Sequence, residues 1–168
     1  AARLKDQAVQ TPLLMNHALN ERMGGRIFLK AECLQRTGTF KFRGAFNALA
    51  RLDDSQRQAG VVAFSSGNHA QGVAEAARIL GIKAIIVMPE DAPEVKKAGV
   101  LARGAEIRAY DRETESRVEI AQALCETSGA ALIPSFDHPD VIAGQGTCGL
   151  EIFETMKARG ETADQLVC

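Results

Sequence analysis

From position 60 onward, short apolar runs rich in β-branched residues alternate with longer amphipathic ones, and few folds accommodate that rhythm. It predicts βαβ units, hence an α/β fold with a parallel sheet layered between helices. Strands are expected over 61–64, 84–88, 106–109 and 131–133. Helices are expected over 70–80, 93–103 and 114–127, each closed by a glycine at 81, 104 or 129. Ser65 or Ser66 is the expected N-cap of the first, and Pro93 suits the opening position of the second. A Pro/Gly-bearing connection over 134–146, a helix to about 159 and the opening of a buried strand over 165–168 follow.

The residues before position 53 have a different pattern. An extended segment over 10–14, a helix over 16–23 stopped by Gly24-Gly25, a strand over 27–31 and a helix over 42–52 are expected there, and the change of rhythm implies two structural lobes. Ala1 stands where an initiator Met would, and nothing follows the 165–168 strand to pair with it, so the chain reads as an N-terminal part of a larger protein. Twenty Lys and Arg against 21 Asp and Glu leave a net charge of −1, which argues against a nucleic-acid partner. No apolar run approaches the roughly 18 residues of a membrane span, and the N-terminus does not read as a leader. Cys33, Cys125, Cys148 and Cys168 are scattered without a metal-ligand or disulfide spacing, so no metal site is expected and a reducing, cytoplasmic setting fits.

Three segments could carry chemistry. Thr37-Gly38-Thr39-Phe40-Lys41-Phe42-Arg43-Gly44 sets a lysine between aromatic residues near a helix start, where the helix dipole and an apolar wall disfavour its charge. A solvated lysine at a helix start would read the same way. Ser65-Ser66-Gly67-Asn68-His69-Ala70-Gln71-Gly72 lies at a strand-to-helix turn, where free N–H groups favour an anion, although ordinary capping also explains it. Val141-Ile142-Ala143-Gly144-Gln145-Gly146-Thr147 offers two glycines around an amide, equally a plain turn or a close approach to a ligand.

In their order and wording, these segments resemble the fold-type II pyridoxal-phosphate enzymes, in particular the serine/threonine dehydratase (threonine ammonia-lyase) and serine racemase branch. Lys30-Ala31-Glu32, the run from Gln35 to Ala45, Met88-Pro89 with Ala92-Pro93, and Ile142 to Thr147 carry the likeness together with the serine-containing turn. The resemblance implies that Lys41 carries pyridoxal 5′-phosphate covalently, Phe40 packs beside its ring and Asn68 bonds its phenolic oxygen. It implies that Ser65, Gly67 and His69 help hold the substrate carboxylate, that Ser66 faces the ring opposite the lysine, and that Arg117 approaches substrate on closure. Thr39 keeps the hydroxyl that many relatives carry as Ser. Phe42 stands where cysteine and threonine synthases have an acidic residue, which argues against them.

The implied architecture has 1–52 as part of a large cofactor domain, 53–140 as a small mobile α/β domain, and 141–168 as the start of the remaining large domain. The glycine-rich loop that grips the cofactor phosphate in this family has no counterpart in the sequence, so the chain alone is expected to be inactive. The implied reaction is β-elimination from L-threonine, L-serine or another 3-hydroxy amino acid, giving a 2-oxo acid and ammonia. A serine racemase, or a catalytically silent amino-acid-binding protein on the same scaffold, is the alternative. Partners would be a small amino-acid substrate and, in the full-length protein, a second copy in a homodimer.

Overall fold

In the computed structural model, which describes residues 1–167, strands β3 (Val61–Phe64), β4 (Ala84–Pro89), β5 (Glu106–Tyr110) and β6 (Ala131–Leu132) form one parallel sheet in the order β5-β4-β3-β6. Val61 pairs with Ala84 on one side and with Ala131 on the other, and Ile85 pairs with Glu106. Alternation along the strands sends side chains to opposite faces. Val61, Ala63, Ile86 and Met88 enter one core, whereas Val62, Val87 and Tyr110 enter a second. Burial on both faces is why β3 and β4 read as continuous apolar runs.

The connecting helices are α4 (Asn68–Leu80), α5 (Glu94–Leu101) and α6 (Arg117–Ser128). Val73 and Ala77 of α4 and Val100 of α5 fill the first core, and Ala121 of α6 fills the second. Gly81 and Gly129 close their helices in the left-handed conformation, as the sequence predicts. The caps differ from expectation in two places. Gly67, rather than Ser65 or Ser66, precedes α4, because Ser65 Oγ instead accepts from the Gly67 N–H within the turn. Pro93 sits outside α5 as its N-cap residue. Helix α6 begins three residues later than predicted, where Ser116 accepts from the Glu119 N–H.

Before this sheet, β1 (Leu13–Met15) and β2 (Phe28–Lys30) pair antiparallel around α1 (His17–Met23), which is capped by Asn16 and stopped by Gly24. Helix α2 (Lys41–Leu49) starts one residue earlier and ends sooner than expected. Arg51 and Leu52 fall into the turn before α3 (Asp54–Ala59), a short helix missed in the sequence despite the capping box between Asp53 and Gln56. The 134–146 connection also contains a helix, α7 (Pro139–Gln145), with proline at its first position and His138 as its cap. It leads directly into α8 (Thr147–Ala158). The strand expected over 165–168 is absent from 165–167, whose Leu166 and Val167 are exposed, and Cys168 lies outside the described residues.

Helix α2 is the centre of the molecule. Every residue from Phe42 to Leu49 is buried, with α4 against one side and α7 against another. Glycines permit both approaches. A Cβ at Gly72 would lie 3.1 Å from the backbone of Lys41 and Phe42, and one at Gly144 would lie 2.4 Å from the Arg43 carbonyl oxygen. No helix among the described residues is long and apolar enough to cross a membrane.

Candidate active site

In a parallel sheet, the crevice that accepts ligands opens at the carboxyl ends of strands whose connections leave in opposite directions. Strand β3 hands over to α4, whereas its neighbour β6 hands over to α7, so that crevice lies above β3 and β6. Lys41, the first residue of α2, reaches the same end of the sheet. Its Nζ donates to the Ser135 carbonyl just past β6 at 2.8 Å and lies 5.2 Å from the centre of the Phe40 ring. It forms no ion pair among the described residues. Burial lowers its pKa, the direction needed for a free amine.

The opposite wall is the turn after β3. His69, 3 % exposed, is the second residue of α4, and its Nε2 lies 3.0 Å from the Ile133 carbonyl. A carbonyl only accepts, so Nε2 carries the proton and Nδ1 is left as a bare acceptor with no partner. Burial pushes the imidazole pKa down to about 4; the bond to Ile133 opposes this shift, and the charge of Lys41 adds to it. The ring is therefore neutral near pH 7, and it is the His69 backbone N–H, at a helix start, that suits an anion.

This assignment makes a pH prediction. The unfolded histidine, with a value near 6.5, binds its proton before the folded one does. His69 thus contributes stability above about pH 6.5 that is lost as pH falls through about 4, on the order of 3 kcal/mol in all. Urea-unfolding midpoints of the wild type are expected to drop across that window more steeply than those of His69→Gln, whose amide still donates to a carbonyl. Parallel curves would refute the neutral assignment.

Most of the other expected residues follow the carboxyl ends of β3 and β5, at this same end of the sheet. Phe40, 40 % exposed, stands beside the amine, and Ser65, Ser66 and Gly67 form the half-buried turn. Asn68 is exposed at the first position of α4, with Lys96 Nζ donating to its Oδ1 at 3.3 Å. Arg117 is exposed at the start of α6, with its guanidinium 5.5 Å from the centre of the Phe64 ring, next to the turn. Among the described residues, no cluster of three or more His, Cys, Asp or Glu could hold a metal ion.

Two features escaped sequence reasoning. Gln145, at the end of α7, donates through Nε2 to the same Ser135 carbonyl at 3.3 Å. Arg43, fully buried beside Lys41 on α2, makes paired bonds to Glu32 at 2.8 Å and to Glu151 at 2.6 and 2.9 Å. Lys30 joins Glu151 at 2.5 Å, and Thr11 joins Glu32 at the same distance. Burial alone would lower the Arg43 pKa, but the two carboxylates more than reverse this and hold it charged. The available signal was an arginine inside the apolar run of α2, where only paired charge survives.

Known proteins are similar to this chain over most of its length. The chain is 56% identical over 154 residues to the L-threo-3-hydroxyaspartate ammonia-lyase of a Pseudomonas species, covering 92% of this chain and 48% of that protein. It is 47% identical over 153 residues to the L-threonine ammonia-lyase of Thermotoga maritima, covering 91% and 38%. The solved structure of maize serine racemase superposes with a TM-score of 0.89 at 40% identity, over 93% of this chain and 47% of that one. The chain thus spans about half the length of the curated relatives it matches. Family-level similarity runs from residue 4 to residue 168, through both sheets and the eight α-helices of the described residues, and on that footing the chain belongs to the pyridoxal-phosphate dependent enzymes.

Proposed function

We propose that the intact protein is an ammonia-lyase that eliminates the β-hydroxyl of L-threonine, L-serine or a related 3-hydroxy amino acid such as 3-hydroxyaspartate, releasing a 2-oxo acid and ammonia. The observation that carries this reading is the Lys41 amine, drawn into the crevice between β3 and β6, its pKa lowered by burial and free of any carboxylate partner among the described residues. Such an amine fits an aldehyde-bearing cofactor, because attachment requires a lone pair and a neighbouring carboxylate would retain the proton.

When bound, pyridoxal 5′-phosphate supplies an electron sink for charge developing at the substrate α-carbon. The rest is done by this chain's own residues. Lys41 Nζ would hold the cofactor and, once released, take the α-proton as a neutral base. Phe40 would flank the ring, and Asn68 would donate its amide to the phenolic oxygen. The turn of Ser65 and Gly67, continued by the backbone N–H of His69, would orient the substrate carboxylate at the start of α4. Arg117, without an acidic partner among the described residues, would add a positive charge as the site closes. A working division has 1–52 and 141–168 in a large domain and 53–140 in a small mobile one. A cytoplasmic homodimer completes the proposal.

The second reading, serine racemase, is supported by Ser66 in the half-buried turn, from which a hydroxyl could return a proton to the opposite face. Product analysis separates the two. The intact protein, loaded with pyridoxal phosphate and given L-serine, L-threonine or L-threo-3-hydroxyaspartate, is expected to release 2-oxo acid and ammonia in equal amounts from at least one of them. D-serine formed without pyruvate or ammonia would replace the lyase with the racemase. A colourless protein that ignores the added cofactor would indicate a silent amino-acid binder.

A further inference from the structure

We propose that the Ser135 carbonyl, aimed by the Gln145 amide, is a dock that orients the free amine of Lys41, making Gln145 a positioning residue of the site. The proposal rests on the reading of Lys41 as the cofactor-linking amine. Two donors converge on this one oxygen: Lys41 Nζ at 2.8 Å and Gln145 Nε2 at 3.3 Å. A carbonyl oxygen has two lone pairs, so both are occupied and its direction is set.

The segment bearing that carbonyl is pinned at both ends. On the β6 side, the Ile133 N–H donates to the Val62 carbonyl at 2.8 Å and the Ile133 carbonyl accepts from His69. On the other side, Asp137 turns through a left-handed conformation with φ of 56°, and His138 caps α7. Gln145 reaches the dock only because α7 lies tight against α2. Its side chain crosses Gly44, where a Cβ would sit 2.8 Å from Gln145 Cγ, while Gly144 lets the two backbones meet. Gly144 of the third sequence segment and Gly44 of the first thereby acquire a purpose: together they bring one amide across the helix that carries the lysine.

A carbonyl is the right partner for this amine. It can only receive an N–H, so a neutral Lys41 bound there keeps its lone pair pointing away from the loop and available for attack. A carboxylate in the same place would hold the ammonium form instead. The dock therefore fixes direction without fixing charge.

The test uses the intact protein freed of cofactor, with two readouts that need no turnover. The first is labelling of Lys41 by trinitrobenzenesulfonate as a function of pH, located by peptide mass spectrometry; the second is the rate of pyridoxal phosphate attachment, followed by absorbance and fixed with borohydride. Gln145→Met is expected to slow attachment about tenfold, the effect of one lost orienting hydrogen bond. Gln145→Glu, which puts a negative charge beside the amine, is expected to move the labelling profile to higher pH, and its near-identical size keeps the test open if the methionine variant is unstable. Wild-type attachment and an unmoved profile in folded variants would overturn the dock. If the wild type takes up no cofactor but Gln145→Glu still moves the profile, the dock stands and the reading of Lys41 as the cofactor lysine fails.

Discussion

Replacing Lys41 with alanine is expected to abolish cofactor attachment in the intact protein and to lower turnover by roughly 10⁴-fold or more, the scale expected when a nucleophile that is also the base is lost. The fold is expected to persist. The buried mass of α2 is supplied by Phe42, Phe46 and Leu49, and Lys41 contributes one hydrogen bond to a loop carbonyl. Alanine is the best helix former, and removing a cation from a helix N-terminus relieves an unfavourable dipole contact. Borohydride reduction followed by intact mass would show no adduct on the variant, while thermal unfolding would stay close to that of the wild type. Lys41→Arg is expected to fail equally, because a guanidinium does not deprotonate. An adduct of undiminished yield on the alanine variant, mapped to Lys30 or Lys96, would remove Lys41 from the site.

The second large effect concerns the neighbour two positions on. Arg43→Ala leaves the carboxylates of Glu32 and Glu151 facing each other without the guanidinium that pairs with both, and among the described residues only Lys30 remains to balance them. Breaking a buried ion pair in this way costs about 3–5 kcal/mol, a large part of the 5–15 kcal/mol that holds a typical domain together. The urea midpoint is expected to fall steeply, and pyridoxal phosphate attachment to decline with it because α2 carries Lys41. A midpoint within error of the wild type would show that the cluster is not a support of the fold. The charge state of the cluster points the same way: burial tends to raise the Glu151 pKa, but the hydrogen bonds from Arg43 and Lys30 outweigh it and hold the group ionised.

Most of the scaffold is legible in the residues. Runs such as Val61–Phe64 and Ala84–Pro89 announce a doubly covered parallel sheet because both faces must be apolar, and Gly81 and Gly129 mark helix ends because each adopts a positive φ. The candidate residues Lys41, Ser65 and Asn68 stand out as motifs because each belongs to a contiguous segment. Helix α7 was not, since its seven residues carry Pro139 and Gly144, both turn residues by composition, and its burial depends on meeting α2. The roles of Gln145 and Arg43 were hidden for the same reason. Glu151 lies 108 positions from Arg43, and Gln145, though only ten positions from Ser135, has its role defined by Lys41 on the helix packed against α7. The cap of α4 was misassigned because either serine could serve locally, and only the folded turn commits Ser65 Oγ to the Gly67 N–H.

The charge cluster also bears on how the molecule is made. As the polypeptide leaves the ribosome, the guanidinium at 43 meets the first of its two acidic partners at once, but the other is synthesised 108 residues later. Until then the lysine-bearing helix has no complete anchor, so the parallel sheet between them can form before the catalytic wall sets. Maturation would thus run outward from the sheet, and the helix that carries Lys41 would gain its second carboxylate anchor only when α8 docks.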